Sequence, residues 1–146
     1  MAHLVKGFNI LYDEFIDKLL SILPNTTKIK TYNNLRIILQ KANNRAPMDS
    51  YMESLHPFSN HIFKENTDYF VKNTNLMNDD IVVENFMSGS GLIDYWESLD
   101  DKSKSSIWLY LQSLLKIGYK VYNIEWNEDI IDTPFFKIIN DKKSIC

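Results

Sequence analysis

Apolar positions recur every three or four residues in almost every segment of this chain. Over residues 2–23 two such runs lie side by side, at 4, 8, 11, 15, 19 and 22 and at 5, 12, 16, 20 and 23. That spacing winds apolar side chains onto one side of a helix, so this segment is expected to bury a wide stripe. Pro24-Asn25 stops it, because a helix interior needs the amide that proline lacks. Thr26 or Thr27 is placed to cap a second helix, with Ile29, Tyr32, Leu35, Ile38 and Leu39 predicted as its buried face. Met48, Tyr51, Met52 and Leu55 mark a third, started by Pro47 and broken by Pro57.

Shorter periodic pieces follow around residues 58–63 and 68–71. In "NLMNDDIVVENFM" the β-branched run favours a strand, but Asp79-Asp80 before it marks a helix start, and helix is the reading adopted. "SGSG" at 88–91 is a flexible joint too short for a domain linker. Residues 92–99 read as a short helix with Ile93, Trp96 and Leu99 in register. The strongest pattern spans 103–122: Ile107, Leu111, Leu114, Gly118 and Val121 form one face, with Trp108, Leu115 and Tyr122 beside it. Tyr110, Gln112 and Tyr119 fall off that stripe, and Gly118 is suited to a close helix crossing. The predicted fold is all-α, a single compact bundle of about six helices over residues 1–126. Residues 127–146 form a tail whose Phe135, Phe136, Ile138 and Ile139 are candidates for docking, either onto the chain's own bundle or into a groove on a partner.

Composition narrows this picture only slightly. A chain of 146 residues, 45% hydrophobic, has the size and apolar content of one packed domain. Four glycines and four prolines are too few for the turns of a β-sandwich. No stretch is long and uncharged enough to cross a membrane, and Ala2 excludes N-myristoylation. The lone cysteine, Cys146, cannot form an internal disulfide, which suggests a reducing compartment such as the cytoplasm or nucleus of a cell.

Charge is unevenly spread. Residues 18–48 hold six cations and no acid, whereas 49–101 hold eleven acids against Lys64 and Lys72. Such asymmetry suits an oriented contact or a homodimer in which opposite halves meet. Lys28, Lys30, Arg36, Lys41 and Arg45 form a candidate basic patch for nucleic acid, although a pI of about 5.6 argues against a dedicated binder.

Catalytic chemistry finds little purchase. His56 and His61 are five apart with a proline between them, a poor spacing for zinc, and are expected near the surface. "SGSG" matches neither a nucleophile elbow nor a phosphate loop. Asp79-Asp80 and Asp100-Asp101 are adjacent pairs of the sort that start helices. No catalytic, cofactor-binding or metal-binding residue is assigned, and no small-molecule substrate is evident.

Phe15, Leu19, Leu20 and Pro24 make an F-x-x-x-L-L-x-x-x-P segment, and Ile107, Trp108, Tyr110, Leu111, Gln112 and Leu114 an I-W-x-Y-L-Q-x-L helix. With "PMDSYMESLHPF" between them, this layout resembles small acidic helical proteins of nucleocytoplasmic large DNA viruses and covers about a third of the chain. The resemblance implies a viral protein in host cytoplasm or nucleus, or in the virion, and implies no catalytic residues. The expected function is therefore a non-enzymatic interaction protein, with a protein partner or a second copy of itself. One alternative is a Bcl-2-like modulator of host cell death or signalling, faintly suggested by "MSGSGLIDYW", although the arginine of that family's signature is missing. Nucleic-acid binding through residues 26–45 is the other.

Overall fold

Val5, Phe8, Tyr12, Phe15, Ile16, Leu19 and Leu23 step along one side of the first helix, and all are buried. The structure, a computed structural model, describes residues 2–23, 27–72 and 95–145. The chain runs through α1 (Ala2–Ile22), α2 (Thr27–Ala42) and α3 (Ala46–Leu55), a 3-10 turn at His56–Phe58, then α4 (Ser59–Phe63) and α5 (Thr67–Lys72). After a second 3-10 turn at Trp96–Ser98 come α6 (Asp101–Val121), a third turn at Glu128–Ile130, and α7 (Phe135–Ile145). No strand occurs among the described residues, and the all-α bundle predicted from periodicity is what forms. The helix expected over "NLMNDDIVVENFM", the "SGSG" joint and the start of the 92–99 segment lie outside the described residues.

The main pair of the bundle is α1 with α6. From α6, Ile107, Trp108, Leu111, Leu114, Leu115 and Val121 are buried in the same core as the α1 stripe. The third wall is α3: the rings of Phe8, Tyr12 and Tyr51 meet edge to face, each pair with centroids 5.5 Å apart. Such pairs add roughly 0.5–1.5 kcal/mol beyond the area they bury. The Tyr51 hydroxyl donates to the Leu111 carbonyl at 2.9 Å, so its one polar atom is satisfied in the core. Where α3 crosses α6, Gly118 is buried, and a Cβ there would lie 2.7 Å from Met52 Cγ. The crossing is therefore as close as the sequence suggests.

Helix ends follow local chemistry. The Asp100 carboxylate accepts the Ser103 amide at 2.7 Å, which starts α6 two residues before the predicted boundary. At its other end Asn123 takes φ 55°, the Ile124 amide donates to Tyr119 O at 2.8 Å, and the Asn123 amide donates to Lys120 O at 3.1 Å. This left-handed cap satisfies two terminal carbonyls and turns the chain back over the bundle. It places residues 124–135 against α3, α4 and α6.

Candidate functional site

That returning segment closes over a histidine. His56, expected near the surface, is fully buried. Its Nε2 lies 2.9 Å from Ile130 O and 3.0 Å from Thr133 O. Carbonyls only accept, so Nε2 carries the proton and Nδ1 of the neutral ring accepts. The Tyr119 hydroxyl, 2.6 Å away, then donates to Nδ1. Nearby, the Trp126 indole donates to Ser59 Oγ at 2.8 Å. The result is a directed chain of hydrogen bonds from Tyr119 through His56 to the 130–133 backbone, with the Trp126–Ser59 bond as a second tie for the returning segment. Burial holds His56 below the usual histidine range and pushes the Tyr119 hydroxyl up to about 12. Both groups are thus neutral near pH 7. With these hydrogen bonds made, the network holds the returning segment against the bundle.

Tyr119 was expected off the buried stripe of α6, and this bond to His56 explains why it is buried instead. Tyr110 is half-buried, stacked on Phe15 with centroids 5.1 Å apart. Gln112 donates to Ile62 O at 3.0 Å and binds α6 to α4. His61, the other candidate ligand, stacks on Tyr69 at 3.6 Å. Among the described residues no three His, Cys, Asp or Glu side chains are grouped to hold a metal ion.

The tail candidates separate. Phe135 is 1% exposed, with its ring against His56, Tyr119 and Tyr122 of the same chain. It is therefore core, and the expectation that a partner could take it is corrected. Ile138 and Ile139 are partly buried against that core, and Phe136 is 54% exposed.

The basic segment is rearranged more deeply. Periodicity put Leu35 and Ile38 on the buried face of α2, yet they are 53% and 63% exposed. Ile29 is buried and Leu39 half-buried, as expected; the Tyr32 side chain lies outside the described residues. In place of Leu35 and Ile38 the inner face carries Arg36, whose guanidinium pairs with Asp13 of α1 and donates to Asn33 Oδ1 at 2.9 Å. It also lies 5.8 Å from the Tyr12 ring centroid. A buried cation needs its counter-ion more than the core needs Leu35, so the helix turns to meet Asp13.

Of the candidate basic patch, then, Arg36 points inward and Arg45 sits 4.8 Å over the Tyr122 ring. Lys30 and Lys41 reach solvent, and the Lys28 side chain lies outside the described residues. What faces outward on α2 is Leu35, Ile37 and Ile38 beside Lys30, Asn34 and Lys41. No acid interrupts this helix. The outward face of α2 is the candidate site: an apolar stripe with positive flanks.

Among the described residues no helix is long and apolar enough to cross a membrane. No family model, curated protein or solved structure matches the chain. The glycine–tryptophan segment tied to the Bcl-2-like alternative lies outside the described residues up to position 94.

Proposed function

We propose that this chain is a non-enzymatic interaction protein that works by protein–protein contact, with the outward face of α2 as its contact surface. The observation that carries this reading is the exposure of Leu35, Ile37 and Ile38 within one turn of α2, whereas the other exposed large apolar side chains among the described residues, Ile10, Leu20, Leu109 and Phe136, are spread over α1, α6 and α7. Apolar side chains grouped at a surface and rimmed by polar ones mark contact sites more often than scattered single ones do. Its resemblance to proteins of large DNA viruses supports a setting in a virion, transcription or replication assembly. Polar backbone readers of nucleic acid would not centre three aliphatics in their basic face. The test is affinity capture from infected cells with the intact chain and with a Leu35→Glu/Ile38→Glu variant. The variant should melt at the same temperature and lose the captured proteins. An unchanged set of captured proteins would remove α2 from consideration.

A further inference from the structure

We infer that residues 124–145 form an acid-released strap: His56 latches them over the bundle while its ring is neutral, and protonation frees them while α1, α3 and α6 stay folded. The device is independent of the α2 contact surface.

The latch fits only the neutral ring. Nε2 donates to Ile130 O and Thr133 O, and Nδ1 accepts the Tyr119 hydroxyl at 2.6 Å. A proton taken from water adds to Nδ1, which then donates and can no longer accept. Two hydrogens would meet across that 2.6 Å gap, so the Tyr119 hydroxyl must turn away and lose its acceptor. The groups facing the new charge are all neutral: Tyr119 from α6, Phe135 from α7, and two backbone carbonyls from the returning segment. The acids of that segment, Glu125, Glu128, Asp129 and Asp132, are exposed, as are Glu53 on α3 and Lys64 after α4. Tyr122, beside Phe135, is bonded to Asp49 and lies under Arg45, whose charges offset. His61 on α4 stacks on Tyr69. A buried cation among neutral partners favours the conformation that exposes it.

The strap is what yields, because least holds it. Among the described residues it supplies only Ile124 and Phe135 to the buried apolar core, whereas α1, α3 and α6 supply most of the rest. Its Trp126, Ile130, Ile138 and Ile139 are partly buried. Its other ties are the Trp126–Ser59 bond and an exposed Lys64–Glu128 ion pair of little strength. Asn123, at φ 55°, is the reversal at which it hinges. Local opening draws on such weakly buried segments. It uncovers Tyr119 and Tyr122, the rings on which Phe135 packs. One proton bound only in the open form raises the opening ratio by at most about tenfold for each pH unit below about 6.5.

The test is hydrogen exchange of the full chain, read by mass spectrometry at pH 7.5 and pH 5.5 and corrected for intrinsic rates. Peptides from residues 124–145 should exchange about three- to tenfold faster at pH 5.5, while peptides from α1 and from residues 104–117 keep their protection. His56→Gln keeps an amide donor for the two carbonyls but takes up no proton, and should make the strap's exchange independent of pH. His61→Gln should leave the response in place. Exchange that rises equally in α1, α6 and the strap, or in none of them, would overturn the inference. So would a response that survives His56→Gln or vanishes with His61→Gln. If His56→Gln does not fold, NMR titration of the His56 ring in the unaltered chain decides: its protonation should track the strap's exchange, and a ring that titrates under a strap still protected sinks the idea.

Discussion

At the scale of single residues, His56 couples the chain's end to proton concentration. Its ring is neutral in the fold because burial opposes the charge, and its free-chain value is near 6.5. Below about pH 6.5 the unfolded chain therefore binds a proton that the folded chain does not. Stability falls as pH drops through that range and levels off below the folded value. His61, lowered by burial and by Lys64, acts in the same sense. Glu53, raised by burial and by Asp49, acts in the opposite sense and at lower pH. Melting temperature should thus be lower near pH 5.5 than near pH 7.5. His56→Ala should reduce that difference and destabilise by about 3 kcal/mol, since Tyr119 and two carbonyls lose their partner. A pH profile unchanged by the substitution would refute the assignment. None of this was legible locally. A histidine before a proline reads as a helix end, which His56 is, but Tyr119 and Thr133 come from 63 and 77 residues away.

Elements show the same division between local pattern and distant partner. For α1, α3 and α6 the apolar period names the buried face, because each faces a wall of aromatic and aliphatic side chains. For α2 the same period pointed at Leu35 and Ile38, and one ion pair with Asp13 on another helix overrode it. Ile29 and Leu35 looked equivalent in the sequence and should behave very differently. Ile29→Ala, at a site 1% exposed, should cost about 2–4 kcal/mol. Leu35→Ser should change stability by no more than about 0.5 kcal/mol. Urea unfolding of both variants decides between the pattern and the structure. At the α3–α6 crossing, Gly118→Ala should cost about 1–3 kcal/mol by forcing Met52 aside. Shortening Met52 in the same chain should recover part of that loss if the contact is the cause.

The whole molecule turns on where its last residues belong. An apolar tail beyond a helical bundle left two places open, the chain's own bundle or a groove on a partner, and Phe135 lies among His56, Tyr119 and Tyr122 of its own chain. The left-handed turn at Asn123 makes this possible by reversing the chain at the end of α6. The α7 helix is then part of the bundle through Phe135, with Ile138 and Ile139 at its margin and Phe136 facing out. The two neighbouring phenylalanines separate stability from association. Phe135→Ala should destabilise by about 3–5 kcal/mol, because it empties the space beside the histidine network. Phe136→Ser should leave stability nearly unchanged. If the tail holds two copies together, Phe136→Ser should lower the mass measured by light scattering at high protein concentration while the melting temperature stays fixed. If the tail serves only its own bundle, mass stays constant in both variants and only Phe135→Ala melts early. The burial of Phe135 favours the second outcome: its apolar area, worth roughly 1.5–3 kcal/mol, is already spent within the chain. Phe136 with the margins of Ile138 and Ile139 leaves too small an apolar area to offset the several kcal/mol of freedom lost on association.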